Sequence, residues 1–338
     1  MIGSEINDFA FDPFSSNTLI TGCDDGKIRL FSIPPVMESD ITDSVFTISA
    51  HTNRISLLLF HPTIKDFCLT SSPELGTPVV KLWDLSKREL YLTVQLGEAA
   101  LSAVFNLEGT KCAVLCKDKT LLIFDLKTGK ILQKGPSHKG SKAARLTWLH
   151  GKSQLLSAGF GNGSMREFFI YNENNLQAPI YSTEIDSSPS ILSPVFDIDT
   201  SLLFLFSGSS LWIYEIEENG ATFLNKILIP GLATTFVSML AKKHVDVKAV
   251  EILKGYRSTL TTVELVSVTV PRVKKEYFQD DIFVDTIDYD SSCLAIEQWS
   301  KETRVSLKSQ SLHPQEMPKC TIYFIDYLLT FVSIRIHQ

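Results

Sequence analysis

The hydrophobic residues of this chain fall in short runs broken by polar turns, and no long amphipathic helix interrupts them. The run that sets the pattern is Val79 to Leu85, Val-Val-Lys-Leu-Trp-Asp-Leu, and weaker versions of it return five more times. The equivalent aromatic positions are Phe31, Trp83, Phe124, Tyr171, Tyr214 and Tyr256, followed by Ser32, Asp84, Asp125, Asn172, Glu215 and Arg257. Successive spacings, by subtraction, are 52, 41, 47, 43 and 42 residues.

Each repeat predicts an inner strand, a second strand, a tight turn and a third strand ending near the aromatic. In the first, Ile6 to Phe11 leads through Asp12-Pro13 to Thr18–Thr21, the turn Asp24-Asp25-Gly26 and Lys27–Ile33. The near-continuous apolar inner strand suits burial on both faces, and Asp-Gly is a favoured hairpin turn. The second repeat runs from Arg54 through Phe60-His61-Pro62 to Trp83-Asp84, with an outer strand at Leu90–Gln95. The third has Leu101–Phe105, Lys111–Cys116 and Thr120–Asp125. Arg145–Leu149 with Arg166–Asn172 and Leu192–Phe196 with Ser210–Ile216 continue the series. The sixth is Thr234–Leu240, an indistinct second strand near Val245–Val250, and Glu251–Arg257, with Leu260–Val270 completing the last blade.

A period of about 40 to 45 residues built from short strands is the signature of a WD40-type β-propeller. The expected fold is therefore all-β, with six recognisable blades over residues 1–270. Pro271 marks a change: Arg272 to Asp290 mixes charge and aromatics without strand alternation, so 271–319 reads as an extension wrapping the body. Residues 320–338 form an apolar tail with no repeat phase and are placed outside the domain logic.

Charge adds one feature. The net charge of −6 argues against non-specific nucleic-acid binding by the whole body. From Leu126 to Arg166, however, there is no acidic residue, while Lys127, Lys130, Lys134, Lys139, Lys142, Arg145, Lys152 and Arg166 supply eight positive charges. The remainder then sums to −14, so charge is unevenly divided. Gly135 to Ala143 is expected to link the outer strand of one blade to the inner strand of the next. It is either a solvated loop or a docking patch for an acidic partner, through Lys134, Lys139, Lys142 and Arg145.

Other motifs read as structure. Recurrence of the Trp83 position points to core packing, and Asp25 and Asp118 suit turns in which a carboxylate accepts backbone N–H groups. Gly159-Phe160-Gly161-Asn162-Gly163 is followed by strand-like Glu167–Tyr171, so it predicts a hairpin and not a phosphate cradle, which needs a helix N-terminus. Cys112 and Cys116 fall on one face of a strand as core thiols, without the second pair a zinc site requires. His51 and His61 are expected to hydrogen-bond loops. No nucleophile elbow occurs, and neither a catalytic residue nor a cofactor is expected. Six cysteines without a framework and no signal peptide favour a reducing, cytoplasmic setting. Thr321 to Ile336 holds Asp326 and Arg335 and is too short for a membrane anchor, which takes about 20 apolar residues.

Ile6 to Phe14 (Ile-Asn-Asp-Phe-Ala-Phe-Asp-Pro-Phe), Cys116-Lys117-Asp118-Lys119 with Ile123-Phe124-Asp125, and Val270-Pro271-Arg272 followed by Phe278 to Thr286 are runs that resemble the coronin family. The similarity covers about residues 6 to 312, with Trp299 and Ser306-Leu307 in phase. The resemblance implies a seven-bladed propeller that binds actin filaments and organises the cytoskeleton, with membrane-traffic roles in some members. Coronins carry a basic segment and a blade before the equivalent of Ile6, so six blades of an expected seven are found here. No heptad follows Thr286, which makes the chain most similar to the long tandem-propeller coronins, shortened at both ends. The expected function is a non-enzymatic actin-filament-binding scaffold in the cytoplasm. The alternative is a propeller adaptor in Golgi or endosomal vesicle traffic, with cytoskeletal or trafficking proteins as partners and peripheral membrane association.

Overall fold

The computed structural model describes residues 3–74, 76–291, 294–301, 305–319 and 333–337. Six four-stranded antiparallel sheets form the frame, as the repeat predicts, and the fold is an all-β, WD40-type propeller with six blades. The blades are, in order, Ile6–Asp12, Ser15–Cys23, Lys27–Ser32 and Phe46–Ser49; Leu57–Phe60, Phe67–Ser72, Val79–Asp84 and Glu89–Gln95; and Ala100–Phe105, Lys111–Cys116, Thr120–Asp125 and Ile131–Pro136. They continue with Arg145–Leu149, Gln154–Phe160, Met165–Asn172 and Tyr181–Ser187; Ser193–Asp197, Leu202–Ser207, Ser210–Ile216 and Ala221–Leu228; and Phe236–Met239, Glu251–Ser258, Val263–Thr269 and Ser333–His337.

Two compact units divide the chain: 1–139, 171–178 and 289–308 form the first, and 140–170, 179–288 and 309–338 the second. The first holds blades one to three. One apolar cluster joins Ile20, Ile28 and Leu30 of blade one to Leu58, Cys68 and Trp83 of blade two. Another joins Leu69, Val80 and Leu82 of blade two to Phe105, Cys112 and Phe124 of blade three. The second unit repeats the scheme between blades four and five and between five and six. Middle strands lie between two neighbours, which is why Phe67–Ser72, Gln154–Phe160 and Leu202–Ser207 are buried at every position.

Polar groups inside this packing are paired. In blade two the Trp83 indole N–H donates to Thr70 Oγ1 at 2.9 Å, and Thr70 Oγ1 lies 2.8 Å from His51 Nε2. His51 Nδ1 is 2.9 Å from Glu74 Oε1, and Lys81 Nζ joins both that carboxylate and the Ala50 carbonyl. Burial holds the His51 pKa down at about 4, so the ring is neutral and its Nε2 accepts from Thr70. His61 also serves loops. Its Nδ1 accepts from the Thr63 and Ile64 N–H groups, and Nε2 donates 2.7 Å to the Gly109 carbonyl. A side chain at Gly109 would meet that imidazole at 2.1 Å, and φ is +64° there.

The turn carboxylates behave as expected: Asp25 accepts from the Lys27 N–H and Asp118 from the Thr120 N–H. Asp84 and Asp125, after the repeated aromatics, accept from Ser86 and Lys87 and from Lys127 and Thr128. The glycine-rich stretch turns between the strands Gln154–Phe160 and Met165–Asn172 through a short 3₁₀ segment, Asn162–Ser164. Cys112 and Cys116 are both buried in the core of the first unit.

Blade six departs from the sequence expectation. Val245–Val250 is a turn closed by the Asp246 carboxylate and carbonyl, with Val247 and Val250 facing inward, and not a strand. Glu251–Ser258 is the second strand and Val263–Thr269 the third. Tyr256, counted as the sixth repeated aromatic, is 45% exposed, and Val268 holds the corresponding core position. The fourth strand, Ser333–His337, pairs with Val263–Thr269, so part of the tail placed outside the domain logic completes a blade. The rest of the apolar run, 321–332, lies outside the described residues.

The extension packs on both units. Phe278, Ile282, Phe283 and Met317 enter the core between blades five and six. Trp299, on the short helix Ile296–Lys301, is fully buried against His61, Phe67 and Tyr91, with ring centroids 5.4, 6.2 and 6.2 Å away. Among the described residues, no helix is long and apolar enough to cross a membrane.

Candidate partner-binding surface

The acid-free stretch is sorted by the fold into surface and interior. Lys134 is an exposed position of the outer strand Ile131–Pro136, held in register opposite Leu122, and its carbonyl accepts 2.6 Å from Gln177 Nε2. Lys139 is exposed in the loop that follows, between the Ser137 N–H, bonded to the Lys119 carbonyl, and the Gly140 N–H, bonded to the Phe160 carbonyl. Both belong to the first unit.

Lys142 and Arg145 belong to the second unit. Lys142 is half-buried, its ammonium 4.8 Å from the centre of the Phe160 ring, a cation–π contact that steers the side chain. Arg145 is exposed at the first position of an inner strand, opposite Ala158. Thus three of the four predicted residues are exposed and the fourth is held on an aromatic face. Among the described residues no carboxylate stands within ion-pair distance of Lys134, Lys139 or Lys142.

Other charges of the stretch are structural. Arg166 is 2% exposed: its Nε and Nη2 donate to Asp186 at 2.6 and 2.7 Å, Nη1 donates to Ser207 Oγ, and the guanidinium lies 4.7 Å from the Trp212 ring. Lys127 sits 4.9 Å over the Trp299 ring. The Asp186 partner is 20 residues from Arg166, beyond any local charge pattern. A groove of about 340 Å³ beside blade two, lined by Lys65, Asp84, Ile296 and Glu297 among others, was not foreseen either. Glu297 of that lining accepts from Lys87 Nζ at 2.6 Å across 210 residues, a separation that leaves no sequence signal.

Comparisons with known proteins agree with this architecture. A family model described as a type of WD40 repeat matches residues 263–304. Coronin-7 of Rattus norvegicus is 31% identical over 323 residues, covering 93% of this chain and 35% of that protein. The coronin-like protein of Saccharomyces cerevisiae is 27% identical, covering 93% of this chain and 50% of its own length. The chain therefore spans about a third to a half of these relatives. Among solved structures, the WD40 domain of Toxoplasma gondii coronin superposes with a TM-score of 0.83 at 25% identity, covering 92% of this chain and 81% of that one. Nine-tenths of the chain is thus homologous to coronins, and its fold is that of a coronin WD40 propeller.

Proposed function

We propose that the chain is a non-enzymatic scaffold of the cytoplasmic actin cytoskeleton, which binds filaments through Lys134, Lys139, Lys142 and Arg145. The observation that carries this reading is the 41-residue interval without an acid, from Leu126 to Arg166, in which the exposed cations Lys134 and Lys139 have no carboxylate within ion-pair distance among the described residues. Homology to coronins supports the partner class. The chemistry is long-range attraction followed by charge-assisted hydrogen bonds from ammonium and guanidinium donors to carboxylates on the filament.

Co-sedimentation with actin filaments over a salt series, beside a Lys139→Glu, Lys142→Glu, Arg145→Glu variant, tests it. Pelleting that weakens with salt and is lost in the variant is expected, because exposed charge contacts are screened. A folded protein that does not pellet, yet is recruited to Golgi or endosomal vesicles, would replace this reading with the vesicle-adaptor one.

A further inference from the structure

The glycine-rich turn of blade four has no part in the filament-binding reading, and it contains an Asn-Gly pair, Asn162-Gly163, between the strands Gln154–Phe160 and Met165–Asn172. An asparagine side chain reacts with its own backbone most readily when glycine follows, because no Cβ then shields the next main-chain nitrogen from the side-chain carbonyl carbon. The surroundings of this pair favour that attack. Both residues are exposed, and the Asn162 side chain makes no hydrogen bond among the described residues. Gly163 lies at φ +65° and ψ +26°, outside the helical range of its own short 3₁₀ segment, and a side chain there would meet no atom within 4 Å.

A second Asn-Gly pair, Asn219-Gly220, is an internal comparison. It sits in a hairpin between paired strands, where Ile216 faces Ala221 and the Glu217 N–H donates to the Gly220 carbonyl at 3.0 Å. A side chain on Gly220 would stand 3.2 Å from the Tyr181 ring, so this backbone is pinned and packed. The location of Asn162 gives the difference a consequence. The Gly140 N–H donates 2.7 Å to the Phe160 carbonyl, and the Phe160 ring carries the Lys142 ammonium. A carboxylate at position 162 would be the first acid in the interval from Leu126 to Arg166, two residues along the chain from Phe160.

We propose that Asn162 is a self-modifying site, which converts to a carboxylate and thereby acts as a charge switch on the basic surface. The Gly163 main-chain nitrogen bonds to Cγ of Asn162, the Cγ–Nδ2 bond breaks, and ammonia leaves with the proton of the Gly163 N–H, giving a five-membered cyclic imide. Water then adds to either imide carbonyl and breaks its bond to nitrogen, leaving aspartate or isoaspartate, and the released ammonia takes the acid proton. Water is the sole co-reactant, and position 162 gains one negative charge. The switch rests on the filament-binding reading; the conversion does not.

The full 338-residue chain is incubated at physiological temperature and pH, and its digested peptides are followed by mass spectrometry beside Asn162→Gln, whose longer side chain would have to close a six-membered ring. The peptide with Asn162 should gain the mass of an amide-to-acid exchange several-fold faster than the one with Asn219. The rate should rise with pH, because the attacking nitrogen reacts deprotonated. Part of the product should be isoaspartate, labelled by a protein-isoaspartate methyltransferase, and the variant should stay unchanged at this position. Conversion at Asn162 no faster than at Asn219, or acid formed without isoaspartate, would overturn the site. Filament pelleting is then compared for wild type, Asn162→Gln and Asn162→Asp. Weaker pelleting by Asn162→Asp alone is expected, and equal pelleting by all three would overturn the switch. If none of the three pellets, the filament reading falls and the switch with it, while the peptide masses still decide the conversion.

Discussion

Replacing Thr70 by valine keeps the shape of the side chain and removes only the hydroxyl that links Trp83 to His51. Thr70 is fully buried, and its oxygen is 2.9 Å from the indole nitrogen and 2.8 Å from the imidazole nitrogen. Valine leaves an indole N–H donor and a bare Nε2 acceptor without partners in a place water does not reach. Each such orphan costs about 1–3 kcal/mol, so the variant should lose about 2–6 kcal/mol. Trp83→Phe removes the donor alone, and the Thr70 hydroxyl continues to serve His51. Its cost should be lower, at about 1–3 kcal/mol, much of it from lost packing. In the double variant only Nε2 is orphaned, so the combined loss should fall short of the sum by about 1 kcal/mol or more. Urea titrations of the four proteins, read as midpoints at constant slope, measure this coupling. Additive losses, or a Thr70→Val cost below about 0.5 kcal/mol, would refute the relay as an energetic unit.

Further expectations follow from the same packing. Burial lowers the pKa of His61 to about 3 and of His51 to about 4, against 6.5 for a free imidazole. Depressed folded-state values mean that stability is complete above about pH 6.5 and declines as pH falls toward 4 and then 3, because the unfolded chain takes up protons first. At pH 5 each of these rings should cost about 2 kcal/mol relative to pH 7.5, and a flat urea midpoint over that range would contradict their burial. Trp299→Ala should lose about 3–5 kcal/mol and open 289–308 to proteases, while Trp299→Phe, which also removes an indole N–H that is buried and unpartnered, should cost far less. Equal losses in thermal melts would count against that anchor. Arg166→Met strands Asp186 and should cost about 3 kcal/mol, whereas a variant as stable as wild type in urea would place Arg166 on the surface.

Five blades were legible because each writes its pattern locally: a strand, a turn closed by Asp or Gly, and an aromatic followed by a capping polar residue. The sixth was displaced by Tyr256-Arg257, which imitates that ending within a second strand. Arg257 is in fact buried against Glu264, with Nη2 donating to the Pro230 carbonyl, and the repeat position 54 residues after Tyr214 is held by Val268. The strand Ser333–His337 joins its blade 64 residues after Thr269, and pairing at that separation leaves no local trace. The candidate surface was readable as charge and not as exposure. Lys134, Lys139 and Arg145 do lie at the surface, but nothing near Arg166 announces Asp186, and the cation–π contacts of Lys127 and Lys142 arise only when Trp299 and Phe160 are folded beside them. The turn carboxylates and core thiols were predictable because their chemistry is satisfied by residues close in sequence.

The central claim concerns where the filament would be held, and a charge-swap comparison tests it most directly. Filament pelleting is measured at low and physiological salt for the wild type, for the Lys139→Glu, Lys142→Glu, Arg145→Glu variant, and for a control of equal charge change, Lys65→Glu, Lys274→Glu, Lys275→Glu, at exposed positions outside the acid-free stretch. The account predicts salt-sensitive pelleting by the wild type and the control, and loss at both salt concentrations in the first variant. Equal loss in the two variants, or retention in both, would contradict it.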